Sequence, residues 1–177
     1  MKYIVLLRGI NVGGKRIIKM DTLKATMQEI GFTNVKSYIQ SGNIVLESVE
    51  TDIVKITKII ETSLKDTFGF DVHVLVIEID RFLQMVEGNP FYSATTDIKK
   101  LHGTIIEGNI ENPKLLHDIE TKGDEYVIGN GILYIQCVGD YHTSPLSNNI
   151  LEKKLKLTCT TRNWKTMLAI KDMAQIG

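Results

Sequence analysis

The feature that most constrains this chain is the order in which its hydrophobic period switches between strand-like and helix-like spacing. Residues 3–7 are a continuous apolar run, and Leu23, Met27 and Ile30 then recur at helical spacing up to Gly31. Asp21 stands where a helix cap is expected. Val35 to Gln40 and Asn43 to Glu47 are short β-type runs around Ser41-Gly42, a hairpin signal. Ile53, Ile56, Ile60 and Leu64 mark one face of a second helix that stops near Gly69, and Val72 to Ile77 alternates as a strand. The order is β-α-β-β-α-β, the split-βαβ or ferredoxin-like pattern, in which two helices cover one face of a four-stranded antiparallel sheet.

The second half repeats that order with weaker signals. His102 to Ile106 reads as a strand, and Asn112-Pro113 opens a helix with Leu115, Leu116 and Ile119 on its buried side. Tyr126 to Ile128 and Ile132 to Cys137 flank Gly129-Asn130-Gly131, whose Asn-Gly step favours a tight hairpin. Ile150, Leu151 and Leu155 mark another helix, Leu157 to Thr160 a short closing strand, and Lys165 to Ala174 a last amphipathic helix. The expected fold class is therefore α+β, with two ferredoxin-like units. The boundaries are 1–79 for the first unit, 80–100 for a short helix and linker, and 101–177 for the second unit with its extra C-terminal helix.

Charge is distributed unevenly although the formal net charge of the 177 residues is zero. Residues 1–20 carry Lys2, Arg8, Lys15, Arg16 and Lys19 and no acid, and residues 153–177 carry six cations against Asp172 alone. The middle of the chain holds 10 cations and 20 acids. Basic ends on an acidic middle suggest an anionic partner, or simply solvated faces. Cys137 and Cys159 lack CxxC spacing and are expected as buried thiols in a reducing cytosol. No run approaches the ~20 apolar residues of a spanning helix, so a cytoplasmic protein with no membrane partner is expected.

Two segments carry the candidate chemistry. Arg8-Gly9-Ile10-Asn11-Val12-Gly13-Gly14-Lys15 follows the first strand, and its glycines permit positive φ and close approach while its cations suit phosphate or carboxylate. It fails the Walker pattern, because Arg16 stands where a hydroxyl is required, and it fails GxGxxG by its glycine offsets. The alternative is a loop whose glycines only satisfy backbone geometry while Asn11 bonds locally. Thr160-Thr161-Arg162-Asn163-Trp164 is the other segment, with donors just ahead of a helix. Trp164 would stack on a base or sugar, or fill the core, with Thr161 or Asn163 serving as a cap. Gln40-Ser41-Gly42-Asn43 reads a ligand's polar edge or, more simply, turns the chain. The four histidines show no metal-ligand spacing, no GxSxG elbow occurs, and neither cysteine has an activating neighbour in sequence. No metal or cofactor is expected. The aromatic signature of an RNA-recognition sheet is missing.

The opening loop, Tyr38-Ile39-Gln40-Ser41-Gly42-Asn43, Asn89-Pro90-Phe91 and Thr160-Thr161-Arg162-Asn163-Trp164 together closely resemble a bacterial domain-of-unknown-function family, number 1697. The resemblance extends over nearly the whole chain and implies a two-part α/β fold with a ferredoxin-like first unit. It implies no reaction. Relatives often place Ser-Lys-Leu where this chain has Ser144-Pro145-Leu146, one charge fewer here.

The functional expectation is a protein that binds a phosphate-bearing ligand, a nucleotide or nucleic acid. Arg8, Lys15 and Arg162 neutralise it, Gly13 and Gly14 allow approach, Asn11 and Asn163 orient it, and Trp164 completes the ligand-binding set. The alternatives are an enzyme acting on a small phosphorylated metabolite, and a protein-interaction scaffold.

Overall fold

The computed structural model describes residues 1–176. The first six elements are β1 (Lys2–Leu7), α1 (Met20–Glu29), β2 (Thr33–Tyr38), β3 (Asn43–Glu47), α2 (Ile53–Phe68) and β4 (Val74–Glu78). Their strands form an antiparallel sheet in the order β2-β3-β1-β4. After α3 (Ile79–Glu87) the pattern recurs as β5 (Leu101–Glu107), α4 (Lys114–His117), β6 (Glu125–Ile128), β7 (Ile132–Gln136), α5 (Asn148–Leu155) and β8 (Thr158–Asn163). This second sheet runs β6-β7-β5-β8, again antiparallel, and α6 (Trp164–Gln175) closes the chain. The same connectivity appears twice, as two ferredoxin-like units. By compactness one unit comprises Met1–Leu83 with the residues from Ala169 onward, and the other Gln84–Leu168.

The first unit is built on an apolar core. Tyr3, Val5 and Leu7 of β1 point to the face covered by α1 and α2, where Leu23, Met27, Ile56, Ile60 and Leu64 meet them. Helix α2 is specified at both ends. The Asp52 carboxylate accepts from the Val54 and Lys55 amides at 2.9 and 3.3 Å, and Gly69 ends it at φ 78.

Three local expectations are corrected. Asp21 does not cap α1; Lys19 occupies that position without a side-chain cap bond, and Asp21 lies in the first turn, ion-paired to Lys24 at 3.0 Å. Strand β4 begins at Val74 rather than Val72, because its partner β1 ends at Leu7, directly opposite Val74. Strand β8 runs on to Asn163, since β5 keeps pairing with it as far as His102. Thr160, Thr161, Arg162 and Asn163 are therefore strand residues, and alternate side chains on a strand take opposite faces.

In the second unit α4 is a single turn, and the helix-side core of Leu116, Leu133, Ile135, Leu146, Leu151 and Cys159 is correspondingly smaller. Cys137 and Cys159 are both buried thiols, not joined in a disulfide. No helix among the described residues is long and apolar enough to cross a membrane.

Candidate functional site

The segments singled out in the sequence come together in pairs, one pair in each unit. In the first unit β1 empties into the glycine loop, and the loop is stitched to the turn between β2 and β3. The Leu7 amide donates to the Gly42 carbonyl at 2.8 Å. Asn11 Nδ2 donates to the Gln40 carbonyl at 2.8 Å and to the Ile18 carbonyl at 3.0 Å, while its Oδ1 accepts from the Ile18 amide at 2.8 Å. Both amide hydrogens of Asn11 are thus used inside the chain, so this side chain shapes the loop. Asn43, fully buried, donates to Tyr38 O and Ser41 Oγ and fixes the turn from its other side.

Glycine is required in this assembly for two different reasons. A Cβ at Gly42 would sit 2.6 Å from Leu7 Cβ and 2.9 Å from Ile10 Cδ1, so only glycine lets turn and loop touch. Gly13 and Gly14 instead have φ of 59° and 72° with nothing within 4 Å of an added Cβ. They bend the chain and leave the face above them open. Lys15 and Arg16 lie exposed beside them, and the Arg16 guanidinium approaches Gly9. Arg8 is half-buried, its amide bonded to His73 O at 3.0 Å.

Next to this assembly lies a cleft of about 430 Å³ lined by residues that include Asn11, Ile17, Lys19, Asp21, Thr22 and Gln40. The start of α1, which has no side-chain cap, borders it. Lys19 was not singled out as a site residue in the sequence, and Gln40 was named there only within the Gln40–Asn43 turn. Gln40 participates through its carbonyl, which no side-chain pattern announces.

In the second unit Tyr92, just after the Asn89-Pro90-Phe91 segment, meets Trp164, just after β8. Trp164 lies over Gly103 of β5, where an added Cβ would be 3.3 Å from the indole. Its ring stands 6.2 Å from that of Tyr134, edge-on, and 6.1 Å from that of Tyr92. The Tyr134 hydroxyl donates to Met85 O at 2.9 Å, just ahead of Gly88. Trp164 is 0% exposed, the core alternative for this residue. Asn163 Oδ1 accepts from the Thr166 amide at 2.8 Å, a cap on the first turn of α6. Arg162, half-buried, donates to the carbonyl of Thr161 at 3.1 Å.

A family model described as a protein of unknown function, DUF1697, matches residues 1–134. The chain belongs to the DUF1697 family. The matched span takes in the glycine loop, the Gln40–Asn43 turn and Asn89-Pro90-Phe91, and ends before Thr160. The DUF1697 fold is shared by the conserved bacterial protein SP0830 from Streptococcus pneumoniae, with a TM-score of 0.76 over 98% of both chains at 22% identity. That likeness establishes the fold alone. No curated protein matches the chain.

This DUF1697 chain also holds a polar cluster on the helix side of its second sheet that sequence spacing did not reveal. Thr104 and Thr161 hydroxyls meet at 2.7 Å across β5 and β8, and Thr161 also bonds Asn148 Oδ1 at 2.5 Å. Tyr141 donates to Thr161 at 2.9 Å and accepts from the Asn148 amide at 3.1 Å. His102 stacks on Tyr141 at 4.5 Å, with Cys137 Sγ 3.9 Å from its Nδ1. Asp124 accepts from Ser144 Oγ at 2.6 Å and from the Val138 amide at 2.8 Å. Histidine beside cysteine invites a catalytic interpretation, but the electrostatics oppose it. Burial pushes the imidazole pKa down and the thiol pKa up, which favours the neutral pair over a reactive thiolate–imidazolium. The cluster pins the loop before α5 to β8. Among the described residues no group of three or more His, Cys, Asp or Glu could hold a metal ion.

Proposed function

We propose that the first unit binds a phosphate-bearing ligand, a nucleotide or nucleic acid, on the face formed by the glycine loop and the adjoining cleft. The observation that carries this reading is the way Asn11 closes the loop from within while the glycine face and its cations stay open to solvent. A loop already held in shape gives up little further entropy when it binds. In this reading Arg8 and Lys15, with Arg16, neutralise the ligand, and Gly13 and Gly14 let its oxygens approach backbone N–H groups. Asn11 acts by positioning. Arg162 and Asn163 belong to the second unit, where Asn163 caps the first turn of α6. Trp164 is fully buried in the second unit and is no part of this first-unit face.

The test is fluorescence anisotropy with short labelled single- and double-stranded DNA and RNA and with a fluorescent nucleotide. Three phosphates neutralised on duplex DNA would lower affinity about 40-fold between about 50 and 200 mM salt, and fewer contacts would lower it less. Arg8→Ala and Lys15→Ala should each weaken binding and flatten that slope. Failure of every one of these probes to bind at low salt would overturn the reading.

A further inference from the structure

Among the described residues, three buried side-chain polar atoms have no hydrogen-bond partner: Asn89 Nδ2, Thr160 Oγ1 and Trp164 Nε1. All three belong to the second unit, and all three lie in the two segments that carried its family resemblance. Asn89, Thr160 and Trp164 are 7%, 1% and 0% exposed. A buried donor without an acceptor is a liability that folded proteins generally avoid, so three in two short segments call for a reason.

Thr160 and Trp164 share one face of the second sheet. Thr160 pairs with Ile105 on β5 and, by strand alternation, faces away from Thr161 and the polar cluster around Tyr141. Trp164 covers Gly103 on that same outer face, since Gly103 and Ile105 are two residues apart. The Asn89 segment reaches it through Tyr92, whose amide bonds Asn89 O at 3.3 Å and whose ring is 6.1 Å from the indole. The Asn89 carboxamide is already oriented, because its Oδ1 accepts from the Phe91 amide at 2.9 Å and Nδ2 is turned the other way. Tyr92 is 44% exposed, whereas the indole it neighbours is fully buried.

We propose that Asn89, Thr160 and Trp164 form a binding site for a planar sp² oxygen, the carbonyl or carboxylate of a small ligand that enters past Tyr92. An indole N–H is a donor only, the carboxamide nitrogen offers two more hydrogens, and a hydroxyl donates one, so the site asks for an acceptor. The aromatic flank formed by Tyr92, Tyr134 and Trp164 suits a flat group. The site is independent of the phosphate reading, which concerns the first unit.

Trp164 is the sole tryptophan, so its indole N–H gives a single resonance in a proton–nitrogen correlation spectrum. The experiment titrates the full chain with acetate and benzoate as carboxylates, and with acetamide and benzamide as neutral carbonyls, at constant ionic strength. The expected result is a saturable downfield shift of the indole proton with at least one of the pairs, and which pair succeeds identifies the charge state recognised. Asn89→Asp keeps the acceptor for Phe91 but removes the donor, and should raise the Kd for a carboxylate about tenfold or more. Thr160→Val should raise the Kd several-fold while leaving the melting temperature unchanged or higher, which keeps the proposal testable if Asn89→Asp does not fold. An indole resonance that moves with none of the four probes, or that moves equally in Thr160→Val, would overturn the proposal.

Discussion

The two ferredoxin-like units share a strand order but place their polar atoms in opposite ways. The first unit has an almost entirely apolar interior and spends its polar side chains on loops, where Asn11 and Asn43 tie the glycine loop to the β2–β3 turn. The second unit carries Thr104, Thr161, Tyr141, His102 and Asp124 inside, satisfied on the helix side of the sheet. It also buries three side-chain polar atoms, on Asn89, Thr160 and Trp164, that have no hydrogen-bond partner. One topology thus supports an outward-facing cationic surface in one copy and an inward-facing donor set in the other, and the fold alone decides neither.

The largest expected effect breaks the first unit at its tightest point. Gly42→Ala forces a Cβ into Leu7 and Ile10 at a φ of 72°, and should cost about 3 kcal/mol in denaturant unfolding. Gly13→Ala, with equally positive φ but open space, should cost about 1 kcal/mol and report on ligand binding instead. Equal losses at the two positions would show that the glycines serve one purpose only.

A second pair of substitutions sharpens the contrast inside the second unit. Thr161→Val strips partners from Tyr141, Thr104 and Asn148 and should destabilise by about 2 kcal/mol. Thr160→Val, one residue away, exchanges an unpartnered hydroxyl for a methyl of the same shape and should lie within about 0.5 kcal/mol of the parent or be more stable. A large loss at Thr160 would mean that its hydroxyl is structurally engaged.

The smallest effect is electrostatic. His102 is held below its ordinary pKa of 6.5 by burial, so the folded state binds fewer protons than the unfolded chain below that value. The stability this gives is fully present above about pH 6.5 and is lost as pH falls toward the depressed folded value. The melting temperature should therefore decline more steeply below neutral pH in the parent than in His102→Phe, which keeps the stack on Tyr141 but does not titrate. Parallel declines would place the acid sensitivity elsewhere.

Much of this architecture was legible from residue spacing. The stripe of Ile56, Ile60 and Leu64, the Gly69 end of α2, and the Asn130-Gly131 hairpin are local signals, and local energetics produced the elements they announce. Errors came where a neighbouring strand decided. Residues 161–163 read as a pre-helical loop but extend β8, because β5 offers unpaired backbone as far as His102. Asp21 was read as a cap from its side chain alone, whereas the chain enters α1 two residues earlier, with Lys19 at the cap position and Ile18 held by Asn11. The candidate segments were visible as composition. Their pairing was not, since it depends on main-chain groups such as the carbonyls of Gln40 and Gly42, which every residue possesses.

The measurement that tests the division between the units most directly is a proton–nitrogen titration of the uniformly labelled protein with pyrophosphate. The account predicts saturable shifts at the amides of Gly13, Gly14 and Lys15, with the Trp164 indole N–H unmoved. A Trp164 response without any shift in the loop would contradict it.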